Sequence, residues 1–491
     1  MAEKRPLCQY SGTIEELRVG DTTVGGASGG AGAIGIAPEY ITANKTLTSS
    51  SSGYQVVDSA NSANYALTLP DATTISEGAI MFIVQNDSGF ALTLKNDSSG
   101  VLGSIGAGVT AAFSLEDNTT TDGTWKRTFE YAPSGADVII GDDVVFESAI
   151  TQYISVTTLS GTQALVCYQD NGNNNRGTAC ILDIVGSTIT PAIPVVFESG
   201  NTTGISVTTI SSTQAIVCYR DAGNSSLGTA CILDISGSTI TPATPVVFNS
   251  ATSESISVTT LSSTQAIVCY QDGGNSSYGT ACILDISGST ITPATPVVFN
   301  SASTSSTSVT TLNGTQALVC YRDTGNNQFG TACILDISGS TITPTTPVVF
   351  ESAATSITSV TTLSSSQAIV CYRDGGNSNF GTACILDISG STITPGTPVV
   401  FNFAASTQIS VTTLSSSRVL VCYQDGGNSS FGTACILDIS GSTIAAGNQV
   451  VFNSADTQFN SVTTLSSTQA IVCYQDGNST FGTSRTISKG I

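Results

Sequence analysis

Two cysteines thirteen positions apart bracket a polar, glycine-rich loop in "CYQDGGNSSYGTAC", Cys269 to Cys282. Near copies give the pairs Cys167/Cys180, Cys218/Cys231, Cys320/Cys333, Cys371/Cys384 and Cys422/Cys435. A last copy keeps Cys473 but has Arg485 where the second cysteine would fall. If the turn is symmetric about Asn275–Ser276, the two cysteines of a copy face each other across a hairpin, close enough for a disulfide. The alternative is a pair of small, packed, apolar side chains. The first residues, "MAEKRPLCQYSG", lack the apolar stretch of a secretory signal, so a reducing compartment is expected. Together with the lost partner of Cys473, this favours free thiols. Zinc needs about four ligands, and two thiolates per copy with no histidine supply half of them.

The same loop carries an aspartate and, in most copies, an aromatic residue. The aspartates are Asp170, Asp221, Asp272, Asp323, Asp374, Asp425 and Asp476. With Asn275 or its equivalents they could approach a calcium ion, but the loop is too poor in carboxylates. An Asx-turn, in which the side chain binds its own turn backbone, is the simpler reading. The aromatics are Tyr278, Phe329, Phe380, Phe431 and Phe481, with Arg176 and Leu227 in the first two copies. An aromatic face beside amide and carboxylate groups suits sugar binding; equally, it suits a plug over the hairpin end. The candidate ligand-binding set is therefore Asp272, Asn275, Tyr278, Asp323, Phe329, Asp374, Phe380, Asp425 and Phe431. Catalysis is not expected. The chain has no histidine, which removes the commonest general base and the His-assisted nucleophiles. A glycosidase needs one distinctive pair of carboxylates, whereas every copy offers the same aspartates. "YRDGGNSNFGT" only distantly echoes a sialidase-type Asp box, and the sole tryptophan, Trp125, lies outside the repeats. No cofactor or metal is implied.

The first cysteines recur every 51 residues through seven copies, a period that marks repeated supersecondary units. Each unit reads as four strands. In the third they are "SISVTTLSS" (A), "TQAIVCYQD" (B), "YGTACILDIS" (C) and "STITPATPVVF" (D). In strand B, Ala266, Val268 and Tyr270 face one way and Ile267 and Cys269 the other, so the sheet must be covered on both sides. Four-stranded sheets stacked face to face about an axis make a β-propeller, here of seven blades. The seventh copy ends without a D strand, and "ADVIIGDDVVF" before the first copy fits that slot. A strand near residues 136–141 is thus expected to close the ring and remove its open edge. The A–B and C–D turns hardly vary, while the D–A and B–C loops drift. Both drifting loops fall on one face of the disk, where a rigid scaffold usually carries its binding groups.

Charged residues are 10% of the 491, and the net charge is −21. Such a surface repels phosphate backbones and anionic lipid, so neither nucleic-acid binding nor membrane insertion is expected. "GTIEELRVGD" reads as one short helical turn and "GDTTVGGASGGAGAIG" as a linker. Six short apolar stretches between Asn44 and Tyr131 read as a small β-sandwich or jelly roll. The whole is all-β: an anchor and linker over 1–40, a sandwich over 41–135 and a propeller over 136–491.

"YALTLPDATTISEGAIMFIVQNDSGFALTLKNDSSGVLGSIGAGVTAAFSLEDNTTTDGTW" resembles small β-domains in fibre, spike and decoration proteins of tailed bacteriophages. The shared features are "LTLP", then "G-x-x-x-F-I-V-x-N", then "DGTW". "MAEKRPLCQYSGTIEELRVGDT" resembles docking segments that open phage virion proteins, and the 51-residue units resemble propeller repeats of phage and bacterial surface proteins. The resemblance implies a structural protein on the surface of a virion, such as a tail fibre, head fibre or decoration. It would meet other virion proteins through its N-terminal region and display the propeller outward, towards a host-surface glycan. It also implies a homo-oligomer, a trimer in many fibres. A lectin-like propeller of a bacterial surface protein is the alternative.

Overall fold

The computed structural model describes residues 7–10, 13–16, 39–48, 51, 54–57, 65–75, 80–86, 92–98, 101–105, 110–131 and 138–489. The chain divides into two compact units, Met1–Tyr131 and Ala132–Ile491.

In the first unit Leu7–Tyr10 pairs with Thr13–Glu16 as an antiparallel hairpin. The helical turn expected to begin near residue 12 is therefore a strand over these four residues. The rest of that stretch and the glycine-rich linker lie outside the described residues. Beyond them are two sheets. One has five strands: Glu39–Ile41, Tyr54–Val57, Ile80–Asn86, Thr110–Asp117 and Thr124–Tyr131. The other has four: Lys45–Thr46, Ala66–Thr68, Leu92–Lys95 and Val101–Ile105. Alternation makes the strands. Leu92 and Leu94 are buried while Thr93 and Lys95 are not, and Phe82 and Val84 point inward two positions apart. The connectivity differs from a jelly roll. The first six strands alternate between the sheets, and their neighbours within each sheet run parallel. Each crossover carries the chain to the opposite sheet, so the next strand returns in the same direction. Buried Asn86 bridges the two layers by donating its amide to the Ile105 carbonyl at 2.9 Å.

The second unit is a seven-bladed ring of four-stranded antiparallel sheets. In the third blade, strand B is Gln265–Asp272 and strand C is Tyr278–Ser287. One 17-residue strand, Val246–Ser262, serves two blades. Its residues 246–252 pair with strand C of the second blade and its residues 253–262 with strand B of the third. The D strand is interrupted between Thr290–Pro293 and Val297 because "TPATP" contains two prolines, which cannot donate to the ladder. The sixth blade shows the cause by exception. There "TIAAGNQVVF" has no proline, and Thr443–Ser466 runs unbroken for 24 residues.

Closure follows the sequence expectation. Val138–Ile140 pairs with residues 487–489, and the first half of Val144–Ser160 pairs with residues 481–484. The last blade thus takes three strands from the C-terminal end and its fourth from before the first blade. The invariant "SVTT" of strand A locks the ring around its axis. In every blade a serine hydroxyl, such as Ser257 Oγ, accepts from the next blade's valine N–H, here Val309, at 3.0 to 3.2 Å. A threonine hydroxyl donates to the preceding blade's threonine carbonyl at 2.5 to 2.8 Å. A third belt joins threonine hydroxyls at 2.9 to 3.2 Å. All three belts run unbroken across the junction of the seventh and first blades.

Between blades the packing is apolar. One face of the third blade (Ile267, Cys269, Ala281, Ile283) meets Ala317, Val319, Tyr321 and Cys333 of the fourth. The other face (Ala266, Val268, Tyr270, Cys282) meets Ile216 and Cys218 of the second. Both faces of strand B are buried, as its double apolar pattern requires.

Candidate functional site

The hairpin from Cys269 to Cys282 is asymmetric. Asp272 pairs with Tyr278, leaving a five-residue turn centred on Asn275 rather than between Asn275 and Ser276. Cys269 therefore faces Ala281, and Cys282 faces Val268. Adjacent positions on a strand point to opposite sides, so the disulfides considered within Cys167/Cys180, Cys218/Cys231, Cys269/Cys282, Cys320/Cys333, Cys371/Cys384 and Cys422/Cys435 are corrected: each pair sits on two faces of its sheet. Instead, sulfurs approach across the blade interface. Cys269 shares a cluster with Cys333, and Cys473 shares one with Cys180 across the ring closure. All thirteen cysteines of the propeller are buried and free. Burial pushes the Cys282 thiol up to about 12 and holds Cys269 well above its ordinary range.

The aspartates after strand B hold the turn. Asp272 Oδ1 accepts from the Gly274 N–H at 3.0 Å, and the six equivalents accept from their own turns. The preceding D strand supplies Asn or Glu at one position, and that choice sets a second bond. Where it is Asn249, Asn300, Asn402 or Asn453, its amide donates to the aspartate of the following blade. Where it is Glu147, Glu198 or Glu351, it accepts instead from a buried tyrosine hydroxyl, Tyr168, Tyr219 or Tyr372, at 2.8 to 3.1 Å. In three of the asparagine blades the hydroxyl, Tyr270, Tyr321 or Tyr423, is buried without a partner. The mid-strand Asp285 also bridges blades. It accepts from Gln265 of its own blade and Ser340 of the next. The sixth blade has no such serine ahead of it, and there Arg418 replaces the glutamine and pairs with Asp438 at 2.7 Å.

Of the candidate set, Asp272, Asp323, Asp374 and Asp425 are thus engaged within their turns. Asn275 is exposed, and Tyr278, Phe329, Phe380 and Phe431 are half-buried at the start of strand C. The structure brings the two drifting loops together on one rim. The Gly273 N–H donates to the Thr252 carbonyl, and Thr304 N–H to the Ser277 carbonyl. Strand A adds a feature not evident from the sequence. Tyr153, Gly204, Ser255, Ser306, Ile357, Gln408 and Phe459 all have positive φ at a bulge, and they differ in every blade but two. Tyr153 and Phe459 lie ring to ring at 5.3 Å where the first and last blades meet. Sequence reading also passed over Phe403 within "NFAASTQ". It is 71% exposed, and its ring meets Phe380 edge-on at 5.9 Å. The signal was available: the other six blades have serine there.

Among the described residues no cluster of three or more His, Cys, Asp or Glu side chains is placed to hold a metal, and no helix is long and apolar enough to cross a membrane. No family model matches the chain, and no curated protein does. Among solved structures the chain is similar to a protein of unknown function from Dyadobacter fermentans DSM 18053, at 13% identity and a TM-score of 0.45, over 72% of this chain and 99% of that one. It is also similar to a triple arginine-to-alanine mutant of AofleA from Arthrobotrys oligospora, at 10% identity and a TM-score of 0.42, over 64% and 92%.

Proposed function

We propose that this chain is a non-enzymatic structural protein of a bacteriophage particle. Residues 1–40 attach it to other virion proteins, and the propeller is displayed outward for contact with a glycan of the host surface. The observation that carries the reading is the contrast between the two faces of the ring. The A–B and C–D turns are nearly constant and tied blade to blade through Asp285 and its equivalents. The opposite rim gathers most of the side chains that vary, on backbone fixed by Asx bonds. A rigid, repeated scaffold with one varied rim suits display and recognition. The carboxylates support a non-catalytic role, because they occupy equivalent hydrogen-bonded positions in blade after blade. The test is incorporation. Antibody against the propeller should label purified particles, and deletion of residues 1–40 should abolish labelling while leaving the propeller folded. Particles that incorporate the truncated chain normally would refute the attachment.

A further inference from the structure

The blades are near copies, so a place where several depart together is informative. Three departures meet at the junction of the fifth and sixth blades. The first is Arg373 at the top of strand B, where four blades have glutamine. The second is Phe403, where the other six blades have serine. The third is Ala405, a residue shared only with Ala354 of the preceding repeat. At the equivalent position Asn201, Ser303 and Asp456 accept a hydrogen bond from Gln169, Gln271 and Gln424 respectively. Ala405 has no acceptor to offer. Arg373 consequently has no hydrogen-bond or ionic partner among the described residues, and its Nε is sealed from solvent without one. Arg220 and Arg322 bury their Nε in the same way, but their terminal nitrogens are engaged, Arg220 by Glu254 and Arg322 by Gln328, and those of Arg373 are not.

Those glutamine bonds show that a side chain at position 373 reaches position 405. Arg373 pairs with Gly381, the neighbour of Phe380, and Phe380 pairs with Ala405. The ladder slips between Gly381–Asn402 and Phe380–Ala405, so Phe403 stands on a bulge next to that pair. The edge-on contact with Phe380 steadies the Phe403 ring while most of its surface stays open. A macromolecular interface would call for an apolar patch of a few hundred Å². Here one aromatic ring stands in a surround of Ser, Asn and Gly, including exposed Asn377 and Ser378. An area of one ring, with a guanidinium lacking an acceptor beside it, matches the apolar face of a single pyranose and its oxygens. We infer that the Arg373–Phe380–Phe403 cluster is a saccharide site, in which a pyranose ring stacks on Phe403 and its hydroxyl or carboxylate oxygens accept from Arg373. This deepens the proposed function by selecting one junction of the seven.

The test uses the full chain on an array of neutral and carboxylate-bearing pyranosides, followed by titration calorimetry with those it retains. The expected result is one site per chain, weakened roughly tenfold or more by Phe403→Ser and by Arg373→Gln, the size of losing one stacking or charge-assisted contact. Both replacements restore what other blades carry, so the fold is kept, and thermal melting followed by circular dichroism verifies this. A larger loss for carboxylated than for neutral ligands in Arg373→Gln identifies a sugar acid; equal losses identify a neutral sugar. Ser352→Phe with Gln328→Asn should build a second site at the preceding junction and raise the stoichiometry to about two. Binding unchanged by Phe403→Ser, or no pyranoside retained by the unmodified chain, overturns the inference. Particle labelling is read separately, so the site can fail while virion incorporation stands, and the reverse.

Discussion

The closing blade makes its dependence on residues far back in the chain measurable through one glycine. A Cβ added at Gly482 would lie 2.5 Å from Phe146 Cε2, 2.8 Å from Cζ and 3.0 Å from Thr151 Oγ1. Ordinary carbon contacts are about 3.5–4.0 Å, so the overlap is about 1 Å. Phe146 cannot simply swing aside, because its ring packs on Tyr168 with centroids 5.3 Å apart. Overpacking of this kind costs about 1–3 kcal/mol. Gly482→Ala should therefore lower stability by that amount, with the loss concentrated where residues 144–150 pair with the C-terminal strand. Phe146→Leu on its own should also destabilise, by about 1 kcal/mol or more through lost packing. Combined, the two should lose less than their sum, because the smaller side chain makes room for the methyl. A coupling of about 1–2 kcal/mol is expected for groups in direct contact. The assay is guanidinium unfolding followed by tyrosine fluorescence, since among the described residues the buried tyrosines belong to the propeller, while the sole tryptophan, Trp125, reports the other unit. Hydrogen exchange over residues 138–150 locates the effect. Strict additivity, or a Gly482→Ala midpoint equal to that of the parent chain, would refute the packing argument at the closure.

Three further outcomes are expected. The propeller's thiols should resist alkylating reagents at pH 8 in the native state and react fully after unfolding, because burial both shields them and raises their pKa; rapid native labelling would contradict this. Asn300→Glu should give the buried Tyr321 hydroxyl the acceptor that Tyr372 finds in Glu351, and stabilise by roughly 0.5–1.5 kcal/mol in denaturant titrations at pH 5; a loss of stability there would show that the Asn300–Asp323 bond matters more. Burial raises the Glu351 pKa above its ordinary 4.5, so the folded state holds that proton more tightly than the unfolded chain. Its contribution is full below the unfolded value and lost as pH rises through the folded one. Glu351→Gln should accordingly flatten part of the decline in stability above about pH 4.5, and identical pH profiles would remove the claim.

The propeller was legible because its signals repeat. The 51-residue spacing, the double apolar pattern of "AIVCY" and the missing last D strand each pointed to a closed ring of four-stranded blades. The cysteine geometry was misread because it depends on whether the turn holds an even or odd number of residues, and "GGNSS" does not announce its two left-handed residues, Ser276 and Ser277. The crossed connectivity of the first unit was hidden for a related reason: apolar alternation marks a strand but not the sheet it joins. At the candidate site, Asp272 and its equivalents drew attention because they recur, and recurrence turned out to mark turn construction. Phe403, Arg373 and Ala405 were each visible in the sequence. Their adjacency is a property of strand register and could not be read from spacing.

The strand exchange also fixes an order of events during synthesis. Val138 and its partner Lys489 are separated by 489 − 138 = 351 residues. At about 5–20 residues per second, the early strand waits on the order of tens of seconds for its mate to leave the ribosome. Until then the growing arc has a bare strand edge at each end, and such edges invite pairing with other chains. "ADVIIGDDVVF" places Asp142 and Asp143 in the middle of the waiting segment, charge of the kind that discourages premature pairing. Arg485, arriving last, meets Asp143 with both its Nε and Nη2. The charge that guards the open edge becomes the latch that closes it.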